Sequence, residues 1–85
     1  MKEFFVYVLM CNDGTLYTGY TTSIEERLKK HNLGLASKYT RARLPVKIVY
    51  CEKIPTKSLA MQRENVIKKM SRAEKLALIN GQAPG

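Results

Sequence analysis

The chain is 85 residues long, with fifteen Lys and Arg against seven Asp and Glu and a formal net charge of +8. That length accommodates one domain with one core, so a catalytic site and a binding surface must share a face. No apolar run approaches the roughly 20 residues of a membrane helix, no basic segment carries the Trp/Phe stripe of a membrane-surface helix, and Cys11 and Cys51 form neither a CxxC motif nor a zinc pair.

Phe4 to Cys11 is rich in β-branched and aromatic residues and apolar on both faces, which predicts a central strand. Asn12-Asp13-Gly14 is a turn signal, and Thr15 to Tyr20 reads as the hairpin partner. A three-residue loop sets Leu9 opposite Tyr17 and Tyr7 opposite Gly19, so that Tyr7, Tyr17 and Gly19 share one face. A two-residue loop separates them. Thr22 and Ser23 each precede a glutamate by three residues (Glu25, Glu26), so a capping box is expected to open a helix. Ile24, Leu28 and His31 form its inward stripe, with Arg27 on the adjoining edge, and Asn32-Leu33-Gly34 ends it.

Residues 35 to 45 are basic and irregular, with room for one helical turn before Pro45. Val46 to Glu52 predicts a third strand, with Val46, Ile48 and Tyr50 alternating against Lys47, Val49 and Cys51. After Pro55, Thr56 caps a helix with apolar positions Leu59, Ala60, Val66, Ile67 and Met70. Ser71-Arg72-Ala73-Glu74 opens a last short helix as a second capping box. The order β-β-α-(α)-β-α-α implies an α+β domain, a small three-stranded antiparallel sheet flanked by helices. One domain over residues 1–85 is expected, with a core over about 4–80 and a frayed tail at 82–85. Both cysteines end apolar runs and read as buried, reduced thiols, with a cross-strand disulfide as the alternative. No signal-peptide pattern precedes the first strand, which makes a cytoplasmic protein the expectation.

The chemistry-bearing residues are few. Tyr17 alone reads as a packing residue with a bonded hydroxyl. Gly19 beside it in a strand marks close approach by a backbone or ligand, and a phenol at such a gap can act on a phosphate-bound water. Its ordinary pKa near 10 needs neighbouring cations before it serves as a base. Arg27 is either a solvated charge or a guanidinium fork for phosphate. His31, the single histidine, is either a packed core-edge residue or a group that orients Tyr17, bonds a phosphate oxygen or moves a proton. Glu64 stands among Lys57, Arg63, Lys68 and Lys69; it either pairs with Lys68 four residues on or serves as an oxygen ligand for Mg²⁺, which takes one or two carboxylates with waters and substrate phosphate. No nucleophile elbow, P-loop, GxGxxG or RNP1 signature competes with this set.

Val6-Tyr7, Tyr17-Thr18-Gly19, Arg27 ten residues after Tyr17, His31 and Glu64 follow one another in an order that resembles the GIY-YIG nuclease family. The stretches DGTLYTGYTT, RLKKHNLGLASKYT and RENVIKKMSRAEK look like its compact stand-alone bacterial and archaeal members, and the resemblance covers about residues 4 to 80. Phe5 stands where the family's first motif has Gly. The resemblance implies a single divalent metal (Mg²⁺ or Mn²⁺) on Glu64 and water activated with help from Tyr17. It also implies Arg27 stabilising the phosphorane-like charge, Tyr7 bonding near Tyr17, and His31 in a place usually held by His or Tyr.

The leading expectation is a metal-dependent endonuclease-like domain that hydrolyses DNA phosphodiester bonds in repair or processing. The alternative is a weakly catalytic or non-catalytic nucleic-acid-binding module, and a third reading is a protein that meets an acidic partner. DNA is the expected partner, with RNA as a second polyanion, and neither a membrane nor a small-molecule cofactor is expected. No acid occurs between Arg27 and Cys51, and Lys38, Arg41, Arg43 and Lys47 from that stretch are candidate backbone contacts. A solvated, solubility-giving surface is the plain alternative for those charges.

Overall fold

The computed structural model describes residues 3–81 of the chain, so the tail expected to fray at 82–85 lies outside the described residues. In chain order it contains β1 (Phe4–Met10), β2 (Leu16–Thr21), α1 (Ile24–Asn32), α2 (Lys38–Arg41), β3 (Lys47–Ile54), α3 (Lys57–Lys68) and α4 (Arg72–Ile79). The strands form one antiparallel sheet in the order β2-β1-β3, the α+β arrangement expected from the sequence.

The first hairpin takes the longer loop. The Cys11 amide donates to the Thr15 carbonyl at 2.8 Å and Gly14 turns with φ of +84°, a conformation glycine adopts without steric cost. Asp13 accepts from the Thr15 amide at 3.1 Å and its hydroxyl at 2.6 Å, which stiffens the tip. The register is therefore Leu9 against Tyr17 and Tyr7 against Gly19. Tyr7, Tyr17 and Gly19 share a face.

Each face of the sheet has its own core. Tyr7, Leu9, Cys11 and Val46 pack beneath Ile24 and Leu28 of α1. Val6 and Val8 on the other face pack against Ala60 and Ile67 of α3, with Met70 and with Leu78 and Ile79 of α4 alongside. Three side chains cap α1, α3 and α4. Ser23 accepts from the Glu26 amide, Thr56 from that of Leu59, and Ser71 from that of Glu74, whose carboxylate returns a bond to the Ser71 amide. The reciprocal box forms at α4; at α1 the described cap is Ser23 alone.

Three expectations need correction. The strict alternation of the third strand fails at a bulge, because Val8 pairs with Tyr50 and Leu9 with Ile48, leaving Val49 extra. Two consecutive residues on one strand then oppose one, so Ile48 joins the α1 face while Tyr50 joins the α3 face. Cys51 is exposed on the outer strand rather than buried, whereas Cys11 is buried, and both are free thiols. On α3, Leu59 and Val66 face solvent at 46% and 51% exposure, and the helix buries Ala60 and Ile67.

Candidate active site

Gly19 has the clearest physical reason for its identity. A Cβ placed there would lie 2.5 Å from the Tyr7 hydroxyl oxygen and 2.7 Å from Cζ, so only glycine leaves room for the Tyr7 ring to cross β2. The hydroxyl that uses this gap reaches His31 Nε2 at 3.0 Å. His31 Nδ1 in turn lies 2.8 Å from Thr40 Oγ1, and Thr40 donates to the Ser37 carbonyl at 3.3 Å. One assignment satisfies every donor within the protein: Tyr7 O–H to Nε2, Nδ1–H to Thr40, Thr40 O–H to Ser37 C=O. His31 and Thr40 are both fully enclosed, and burial of polar groups demands such pairing.

Burial and neighbouring groups set the protonation states. Burial, followed by repulsion from the Arg27 guanidinium, lowers the His31 pKa and keeps the imidazole neutral. Burial, then proximity to Tyr17, raises the Tyr7 pKa far above the ordinary phenol value; Glu64 adds to the rise and Arg27 opposes it. Tyr7 thus stays a phenol at neutral pH, with its hydrogen committed to His31 and its oxygen lone pairs left toward the cleft. Tyr17 stands edge-on to His31, ring centroids 5.3 Å apart, and stacks on Tyr39 of α2 at 6.1 Å.

Tyr7, Tyr17, Gly19, Arg27 and Glu64 all line one open cleft of about 520 Å³ along the outer edge of β2. Arg27 enters from α1 and Glu64 from α3, so the cleft joins the two helical layers around the end of the sheet. His31 lies behind it, touching it through Tyr7 and Tyr17. Lys57 is a second cation in the cleft wall. It sits seven residues before Glu64, two turns on the same face of α3, and that spacing was a usable sequence signal. Thr40 had no such signal, because its contact with His31 depends on how α2 folds back on α1.

Glu64 is the one carboxylate among the cleft residues, with its side chain 18% exposed and Lys68 Nζ 3.6 Å away. Among the described residues no group of three His, Cys, Asp or Glu side chains could enclose a metal. A dedicated protein cage is therefore absent from the described residues, while the donor set matches the Mg²⁺ habit of taking one or two carboxylates with waters and substrate phosphate.

The four basic residues named from the central segment do not line the cleft. Lys38 and Arg41 are exposed on α2. Arg43 is engaged elsewhere: its Nε meets Asp13 at 3.1 Å, an Nη donates to the Tyr39 carbonyl at 2.8 Å, and its guanidinium covers the Tyr39 ring at 3.9 Å. Lys47 is exposed at the start of β3, on the opposite edge of the sheet from β2.

Comparison with known proteins gives this geometry a family. The model of the GIY-YIG catalytic domain matches residues 3–77. A UPF0213 protein of Natronomonas pharaonis is 53% identical over 77 residues, 91% of each chain, and one of Streptococcus sanguinis is 56% identical over 75 residues, 88% of this chain and 86% of its own. The solution NMR structure of a UPF0213 protein from Bacillus halodurans superposes with a TM-score of 0.61 at 41% identity, covering 96% of this chain and 87% of that one. With the family model spanning most of its length and small relatives matching nearly end to end, this chain belongs to the GIY-YIG catalytic domain family.

Proposed function

We propose that the cleft hydrolyses phosphodiester bonds of DNA, in repair or processing, with one Mg²⁺ or Mn²⁺ held by Glu64. The observation that carries this reading is the convergence of Tyr7, Tyr17, Arg27 and Glu64 on one open cleft from three separate parts of the chain. A bound divalent ion supplies positive charge for the phosphate oxygens and leaving group. Arg27 holds non-bridging oxygens with its fork and stabilises the charge that grows on them during displacement. Tyr17 orients the attacking water and, once its own phenol proton has passed to solvent, takes a proton from that water, while solvent protonates the departing alkoxide. Tyr7, kept protonated and turned to His31, offers lone pairs that hold the water's second hydrogen. His31 fixes Tyr7 and remains neutral.

Labelled single-stranded, duplex and branched DNA, with an RNA strand in parallel, incubated with and without Mg²⁺ or Mn²⁺, tests the proposal. Wild-type protein is expected to cut in the presence of metal. Glu64→Gln and Arg27→Met are each expected to lose on the order of 10²-fold or more in rate, and Tyr17→Phe a similar factor. Cleavage that survives Glu64→Gln at the wild-type rate sinks the assignment. The alternative, a binding module without cleavage, takes its support from the Lys68–Glu64 contact at 3.6 Å, which pairs the cleft carboxylate with a half-exposed lysine one turn on. It is upheld if wild-type protein binds DNA and leaves every substrate intact in both metals.

A further inference from the structure

A second hollow, of about 260 Å³, adjoins the cleft on the far side of Tyr17, and Leu16, Thr18, Tyr39, Lys68 and Lys75 complete its wall. Both hollows open along β2, which pairs only with β1 and so has a free outer edge. Their β2 residues are centred about two positions apart, or about 7 Å along an extended strand. Tyr17 belongs to both walls, so anything threaded past it enters the second hollow as it leaves the first.

The lining is selective in three ways. Two ammonium groups, Lys68 on α3 and half-buried Lys75 on α4, face a wall that contains no carboxylate. Lys68 also touches Glu64 of the cleft, but an ammonium has three donors and one long contact leaves others free. The rest of the wall is Leu16 and the stacked Tyr17–Tyr39 pair, an apolar surface suited to a sugar or base edge. The third feature is Thr18. It is 4% exposed, and its Oγ1 is the one buried side-chain polar atom among the described residues with no hydrogen-bond partner. Buried hydroxyls in folded proteins are nearly always satisfied, and this one, beside the hollow, is open to a water or, on rotation of the side chain, to a ligand oxygen.

We infer that this hollow is a nucleotide subsite, which holds the phosphate and sugar one or two steps along the strand whose scissile phosphate lies in the cleft. Lys68 and Lys75 neutralise the phosphate, Thr18 turns its hydroxyl to a phosphate or sugar oxygen, and the tyrosine pair packs on the apolar part of the nucleotide. The inference rests on the nuclease reading of the cleft. It adds the direction in which substrate runs, along the free edge of β2 and past Tyr17. The N-terminal turn of α4 is tied to the hairpin by Arg72, which donates to the Gly14 carbonyl at 3.0 Å, so Lys75 is presented from a fixed element.

Fluorescence anisotropy with a labelled oligothymidylate in EDTA tests the subsite apart from cleavage. Lys75→Met is expected to weaken binding several-fold and to flatten the plot of log K against log salt by about 0.7, the single-strand value for one lost phosphate contact. Lys75→Arg restores both. Lys53→Met, on the opposite edge of the sheet, removes the same charge and serves as the control. Thr18→Val is expected to lower affinity about threefold with an unchanged slope and a melting temperature at or above wild type. Lys75→Met indistinguishable from Lys53→Met, or Thr18→Val binding as wild type, overturns the inference. In the cleavage assay Lys75→Met should raise KM and leave kcat in place, whereas failure of wild type to cut strikes the nuclease reading and not the binding result.

Discussion

Thr40 is the residue on which the site's proton arrangement turns, although it touches neither the cleft nor a charge. Its hydroxyl accepts from His31 and donates to Ser37, so Nε2 is left as the acceptor for Tyr7. Thr40→Val keeps the shape and removes the acceptor, and an Nδ1–H left unpaired in the core costs about 1–3 kcal/mol. The expected response is a tautomer switch, with the ring proton moving to Nε2 and Tyr7 turning its hydrogen toward the cleft. Nitrogen-15 NMR reads this directly, because His31 is the single histidine; Thr40→Ser should retain the wild-type pattern, and an unchanged tautomer in Thr40→Val disproves the relay. A second consequence concerns acid. The folded His31 pKa lies below its ordinary value near 6.5 through burial and then Arg27, so the unfolded chain takes up the proton first. Stability is complete above about pH 6.5 and falls as the pH drops from there toward the lower folded value. Melting temperatures at pH 7.5 and 5.5 should differ in the wild type and differ less in His31→Gln. Asp13, Glu52 and Glu74, all held below their ordinary values, titrate in a lower window and do not mimic this loss.

At the level of elements, the first hairpin decides whether a site exists at all. The Asn12-Asp13-Gly14 turn sets Tyr7 against Gly19, and the missing side chain of Gly19 lets Tyr7 pass to His31. Gly19→Ala forces the Tyr7 ring aside, since the new Cβ meets a phenol that is itself buried and bonded. A cost of about 1–3 kcal/mol is expected from such overpacking, seen as a lower melting temperature together with a change in the His31 nitrogen signals. A loss of stability with His31 undisturbed contradicts the proposed contact. Much of this was legible in the sequence, because turn residues, capping serines and period-two alternation are local signals. Tyr7, Tyr17 and Gly19 fall on one face for a three-residue loop and not for a two-residue one, and the structure takes the three-residue loop. The bulge at Val49 was not legible: it has no marker residue and follows from pairing with β1, a contact distant in sequence. Exposure of Cys51, Leu59 and Val66 escaped notice for a related reason, since an apolar residue announces its type but not which edge or helix face the tertiary packing leaves open.

Across the whole molecule, charge and shape assign different tasks to residues that look alike in sequence. Lys38, Arg41 and Arg43 fall within six residues of one another, yet the first two are exposed on α2 and the third ties the hairpin tip to Tyr39. Glu64, Lys57 and Arg27 meet at one cleft from α3 and α1, which no local pattern could show, because the sheet edge that brings them together exists only once both layers have packed. α2 adjoins the second hollow through Tyr39, which stacks on Tyr17, while its exposed cations Lys38 and Arg41 line neither hollow. Long-range attraction by a chain of net charge +8 draws on every basic residue, whereas docking draws on those that meet phosphate. The double variant Lys38→Met/Arg41→Met is therefore expected to bind DNA more weakly, with a shallower salt slope and a melting temperature within a degree or two of wild type. Arg43→Met should behave in the opposite way. Its ion pair with Asp13 is partly exposed and screened by solvent, but the Tyr39 carbonyl bond and the ring contact are lost with it. About 1 kcal/mol in a domain of this size corresponds to a fall of about 4–8 °C. Should Arg43→Met leave the melting temperature alone and flatten the salt slope instead, the arginine is a DNA contact and its tie to the hairpin is incidental.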